Sequence, residues 1–118
     1  MKQSNNLSNL KFEGQYIVQI RLNRYCIDLV FSNDVIIQIC SELSYYDKQG
    51  NLLSYWNDNN SMNFFMNQLL EIPIVLTQAD SNTIKFVFSN YECLILKSNN
   101  DEHESFTIFS NDGVQDIF

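Results

Sequence analysis

Glycine, proline and positive charge are all scarce in this chain. Three glycines and one proline serve 118 residues, too few to build every turn. Asn and Asp are expected to take over, because their side chains bond nearby backbone and tolerate left-handed dihedrals. Seven Lys and Arg stand against fourteen Asp and Glu, for a formal net charge of −7. None of the bases lies between Lys48 and Lys85, and none follows Lys97. So sparse a set makes no groove for a phosphate backbone, which argues against a nucleic-acid partner. There is no Gly-rich phosphate loop. No apolar run approaches the roughly 18 residues that cross a bilayer, and Met1-Lys2-Gln3-Ser4-Asn5-Asn6 lacks the apolar core of a secretory signal. The expected setting is the cytoplasm, with no membrane partner.

Reactive groups are equally thin. His103 is the sole histidine, and Cys26, Cys40 and Cys93 are spaced 14 and 53 positions apart with no C-x-x-C. Zinc sites usually need two ligands close in sequence, so no metal is expected. The Asn- and Asp-rich stretches 57–60 and 99–102 lack the alternating ligands, central Gly and closing Glu of a calcium loop. A thiol nucleophile needs a base within hydrogen-bond reach. Any of the three Cys with His103 supplies the residue types, but no motif surrounds them. They read as small half-buried apolar residues with free thiols in a reducing compartment. No cofactor and no enzymatic activity are expected.

What the chain does contain is itself, twice. Ile27-Asp28-Leu29-Val30-Phe31-Ser32-Asn33 returns fifty-seven positions later as Ile84-Lys85-Phe86-Val87-Phe88-Ser89-Asn90. The same offset pairs Ile17 with Ile74, Val18 with Val75, Ile37 with Leu94 and Ile39 with Leu96. A β-type pattern kept at fixed offset together with its turn predicts one supersecondary unit used twice. Alternation predicts strands over 16–22, 26–32, 35–40, 43–46 and 52–56, then 74–79, 83–89, 91–97, 106–110 and 114–118. Between the copies the period changes. Ser61 suits a helix cap, and Met62, Phe65, Met66 and Leu69 follow at i, i+3, i+4 and i+7. This predicts a short helix over 61–71, stopped by Pro73. The expected fold is a single α+β domain over 1–118. In it, two similar antiparallel meanders (13–56 and 74–118) are joined by that helix, which packs on the sheet. One curved sheet and two packed sheets remain equally open.

The pieces Gly14, Val18, Arg21, Leu29 and Phe31, then Phe86 and Phe88, then Glu104, Phe106, Asp112 and Gly113 resemble an uncharacterised family of small bacterial proteins with two similar β-meander halves. The resemblance runs from Gly14 onward. His103 stands where that family's pattern has an aromatic, and the Ser-Asn turns lack its Gly. The resemblance implies a fold and no activity. At the level of class, the chain is similar to immunity proteins of bacterial toxin systems, which are short, acidic and cytoplasmic.

The constellation suited to binding is Tyr45, Tyr46, Tyr55 and Trp56, bracketed by Asp47 and Asp58. Tyr and Trp are common binding anchors, and neighbouring acids steer a basic partner. Strand alternation turns about half of such rings inward. Asp101, Glu102 and Glu104 add an acidic run with no base after Lys97. Together these residues suggest a non-catalytic protein-binding protein. Its concrete form is an immunity protein that occludes the active site of a basic toxin, such as a co-encoded nuclease. The alternative is a scaffold module self-associating through a sheet edge, so that both a monomer and a homodimer are admissible. A small enzyme using His103 is the third reading.

Overall fold

In the computed structural model the described residues are 12–23, 25–57, 61–62, 69–80, 82–98, 106–109 and 115–117. They form β1 (Ile17–Leu22), β2 (Ile27–Phe31), β3 (Ile36–Ile39), β4 (Glu42–Tyr46), β5 (Leu52–Asn57), β6 (Ser61–Met62), β7 (Ile74–Ala79), β8 (Thr83–Phe88), β9 (Cys93–Lys97), β10 (Phe106–Phe109) and β11 (Gln115–Ile117). The strands make two antiparallel sheets. One has the order β1-β2-β3-β10-β11 and the other β6-β5-β4-β9-β8-β7.

No α-helix occurs among the described residues, so the expected α+β class and its covering helix are corrected to an all-β fold. Ser61 and Met62 pair with Trp56 and Tyr55 as a strand. At the other end of the expected helix, Leu70 bridges Ile17 in a parallel sense, and Glu71 has φ 69°. Residues 63–68, with Phe65 and Met66, lie outside the described residues. The reason is energetic. A stripe of four apolar residues is a weak helical signal on its own, and at the described ends of the segment strand pairing outweighs it. The offset supplies a better reading, because Leu69 corresponds to Phe12 and both are buried. The stretch from Leu69 is the lead-in to the second copy.

The fifty-seven-residue offset is written into the backbone. Phe31 N–H donates to Val35 O at 2.8 Å, and Phe88 N–H to Glu92 O at 2.9 Å. Ser32 N–H donates to Tyr16 O, and Ser89 N–H to Pro73 O, both at 2.8 Å. The Asn of each Ser-Asn pair accepts the amide two residues on, Val35 at 3.2 Å and Glu92 at 3.1 Å. This is the Asx turn that replaces the missing glycine. A bulge interrupts β1 between Ile17 and Gln19 and β7 between Ile74 and Leu76. The copies also clasp each other. Gly14 N–H donates to Ile74 O at 2.7 Å, and its counterpart Glu71 N–H donates to Ile17 O at 3.0 Å. Such an exchange of equivalent bonds is the signature of a twofold relation.

The meanders β1-β2-β3 and β7-β8-β9 each begin one sheet, but neither sheet is completed by its own copy. After β3 the chain crosses through Cys40 and Ser41, and β4 pairs with β9. The second copy returns the exchange when β10 pairs with β3. Each copy thus lends its second hairpin to the other's sheet. The inward rows of both sheets meet in one core, with Ile27, Leu29, Phe31, Ile37, Ile39 and Ile108 facing Leu43, Tyr45, Ile84, Phe86, Phe88, Leu94 and Leu96. Phe12, Phe31 and Phe86 sit at its centre, with ring centroids 5.1, 5.2 and 5.4 Å apart. These are separations at which tilted and edge-to-face rings attract.

The expectation of three free thiols is corrected as well. Cys26 and Cys40 form a disulfide, and only Cys93 is free. Ile27 pairs with Ile39 across the β2–β3 hairpin, so the next residues outward are brought to a Cα separation of 4.2 Å. The signal was present in the sequence, since both Cys lie equally far from Asn33 in the turn. The second copy has Thr83 and Lys97 at these positions and no such bond.

Two stability outcomes follow from this packing. The Thr77 hydroxyl is buried without a hydrogen-bond partner among the described residues, at the place where the first copy puts Ile20 against the core. Thr77→Val should therefore stabilise the chain by about 1 kcal/mol in a urea titration. A loss of stability would show that the hydroxyl has a partner. Replacing both Cys26 and Cys40 by Ser should cost roughly 2–3 kcal/mol. A reductant should lower the melting temperature of the parent chain and leave the double variant unchanged.

Candidate partner-binding face

The β4–β5 hairpin carries the aromatic constellation, and its register decides which rings are available. Leu43 pairs with Trp56 and Tyr45 with Ser54, so Tyr45 and Trp56 share the core face. Tyr45 is fully buried and Trp56 nearly so. Tyr45 Oη donates to the Glu92 carboxylate, which also accepts from Asn90 Nδ2 at 3.0 Å. This ties β4 to the β8–β9 turn. Tyr46 and Tyr55 are half-buried on the opposite, outer face. Of the four rings, therefore, two are structural and two face outward. Asp58, Asp101, Glu102, Glu104 and His103 lie outside the described residues.

Asp47 has a local task. Its Oδ1 accepts Asn51 N–H at 2.8 Å and Gln49 N–H at 2.9 Å, and its Oδ2 accepts Asn51 Nδ2 at 3.2 Å. The turn closes with Gly50 at φ 87°, a dihedral that favours glycine. The Asn51 amide above all, with Gln49 and Gly50 behind it, holds the Asp47 carboxyl below the usual carboxylate range.

Across the outer face of the second sheet, Leu76, Val87, Cys93, Tyr46 and Leu52 stand in register over β7, β8, β9, β4 and β5. Leu76 and Leu52 are 43% and 44% exposed, and the three between them are half-buried. The next row is Gln78, Lys85, Ile95, Ser44 and Tyr55. The first row is thus an unbroken apolar band, edged at the hairpin turn by Asp47 and Lys48.

Tyr91 departs from the alternation. Expected as the first residue of a strand, it lies in the β8–β9 turn, 71% exposed, at φ 69°. The repeat offset would have found it, because its counterpart is Asp34, already recognisable as a turn residue and also at φ 69°.

Among the described residues no group of three or more His, Cys, Asp and Glu is placed to hold a metal ion, and no helix is long and apolar enough to cross a membrane. Comparison with known proteins returns no matching family model, no matching curated protein and no matching solved structure.

The Asp47 turn has a pH signature. Its carboxyl titrates lower in the folded chain than in the unfolded one. Its stabilising contribution is therefore complete above the unfolded pKa, near 4, and disappears as pH falls through the folded value. Asp47→Asn should flatten the acid limb of the stability curve below about pH 4 and leave its shape at neutral pH unaltered. An acid limb identical to the parent's would remove Asp47 from that role.

Proposed function

We propose that the chain is a non-catalytic protein-binding protein that acts by covering a basic site on its partner. The observation that carries this reading is the apolar band from Leu76 to Leu52 on the outer face of the second sheet, set on a chain of net charge −7. Apolar area provides the driving force for association, and the acidic balance sets the sign of the partner. The half-buried rings of Tyr46 and Tyr55 belong to this face. Tyr45 and Trp56 serve it by fixing the hairpin from below.

The specific form we favour is an immunity protein for a co-encoded toxin, such as a nuclease whose cleft binds phosphate. Small size, the acidic balance and the class-level likeness support it. The reading over a self-associating scaffold is favoured by the two sheet edges that β1 and β7 form. Each of β1 and β7 carries a bulge, and the Glu13 carboxylate accepts Thr77 N–H of β7 at 3.0 Å. Bulges and edge charges discourage strand addition. The reading also puts the chain in the cytoplasm. The Cys26–Cys40 bond weighs the other way, because cytoplasmic thiol pools keep such pairs reduced.

The test is binding to the product of the adjacent gene, by calorimetry at low and high ionic strength. Binding should weaken clearly as salt screens the opposed charges, and Tyr46→Ala together with Tyr55→Ala should weaken it at both. Absence of binding by the parent chain would overturn the toxin-inhibitor reading. Salt-independent binding would overturn its electrostatic part.

A further inference from the structure

Among the described residues seven large hydrophobic side chains are exposed. Val18, Leu22 and Tyr25 belong to the β1–β2 hairpin. The other four gather at one end of the second sheet. Val75 (51%), Leu76 (43%), Leu52 (44%) and Tyr91 (71%) come from the start of β7, the start of β5 and the β8–β9 turn. The register sets Leu76 and Leu52 at the two ends of one row, because Leu76 pairs with Val87, Val87 with Cys93, Cys93 with Tyr46 and Tyr46 with Leu52, and the Val87–Cys93 pair within that row closes the turn that carries Tyr91.

Tyr91 is the unusual member. At φ 69° its β-carbon crowds the backbone, a conformation that Asn and Asp tolerate and a bulky side chain resists. The first copy places Asp34 there, at the same φ. The turn holds its form without help from the Tyr ring. Its backbone bonds from Phe88 to Glu92 and from Tyr91 to Phe88, and the Asn90 acceptor for Glu92 N–H, all recur in the first copy around Asp34. A strained aromatic, open to solvent, on a turn that needs neither property, points to a demand outside the fold.

The charges at this end set the partner. Asp47 edges the β4–β5 turn, Glu92 follows Tyr91, and Glu71 leads into β7 where Ser89 N–H bonds Pro73 O. Lys48 is the base beside them, and Lys85 stands in the next row of the same face. Three carboxylates against two ammoniums leave a negative balance that complements a positive surface.

We propose that Tyr91, together with Val75, the apolar row from Leu76 to Leu52 and the charges of Asp47, Glu71 and Glu92 at this end of the sheet, is the contact surface for a basic face of a partner protein. It rests on the protein-binding reading above and locates it. Tyr91 is the anchor, and the first apolar row extends the contact across the sheet.

The experiment compares Tyr91→Gly, Tyr91→Phe and, as a control on the other sheet, Tyr25→Ala. Each is measured by thermal melting of the purified chain and by calorimetric binding to the product of the adjacent gene. Gly relieves the backbone, so the melting temperature should rise by a few degrees, while affinity should fall at least about tenfold. Phe should keep most of the affinity, and Tyr25→Ala should match the parent. A lower melting temperature for Tyr91→Gly would make Tyr91 a structural residue and overturn the proposal. Parent-like affinity of Tyr91→Gly would overturn it while leaving the protein-binding reading intact. If the parent chain itself fails to bind, both fall. A dimer of the parent chain that Tyr91→Gly dissociates, seen in sedimentation, would give the surface to a second copy and overturn the basic-partner assignment.

Discussion

The contact between the inward faces of the two sheets is what the remaining structure depends on. Phe31 comes from the first sheet, Phe86 from the second and Phe12 from the lead-in to β1, and their rings meet at the centre of the core. An antiparallel sheet with one apolar face must bury that face against another layer. Each meander therefore needs the other, and burying both rows against each other is the arrangement the alternating pattern permits. Tyr45, Leu43 and Trp56 extend the same layer. They are thereby removed from any surface, although their chemistry suits one.

The exchange of hairpins makes that dependence one of hydrogen bonding as well as of hydrophobic burial. Because β4 completes the sheet begun by β7, β8 and β9, and β10 completes the one begun by β1, β2 and β3, neither copy carries a finished sheet. The reciprocal bonds of Gly14 and Glu71 repeat the theme where the copies meet. One consequence is functional. The outer face of the second sheet mixes residues from both copies, with Tyr46 and Leu52 from the first and Leu76, Val87, Cys93 and Tyr91 from the second. The first sheet's corresponding row is not its duplicate, so a symmetric scaffold presents an asymmetric surface.

Much of the local structure was legible beforehand. Ile27, Leu29 and Phe31 alternate inward, as do Ile84, Phe86 and Phe88, because a strand's side chains alternate faces regardless of context. The Ser-Asn turns were legible because Asn closes an Asx turn by itself. The described ends of the segment 61–71 depart from the helical expectation because four apolar residues at helical spacing carry little free energy against the pairing of Ser61 and Met62 with Trp56 and Tyr55. The site was half legible. Aromatic composition drew attention to the β4–β5 hairpin, but alternation alone does not say which parity faces the core. The bulge between Tyr45 and Tyr46 further shifts the pairing there. Tyr91 reads as strand because an aromatic two residues before the apolar run Cys93-Leu94-Ile95-Leu96 suits a strand, and only the comparison with Asp34 exposes it as a turn residue.

By itself the sequence determined what short-range physics governs: the repeat, the alternation of each strand, the Asn-built turns and the equal distance of Cys26 and Cys40 from theirs. Tertiary structure alone decided which hairpin completes which sheet, which rings of the Tyr and Trp group are buried, and which exposed side chains collect at one end. The reason lies in the backbone. Its hydrogen-bonding groups are the same in every strand, so a strand carries no local label naming its neighbour. The choice between pairing within a copy and across copies is made only when the two apolar faces close on each other.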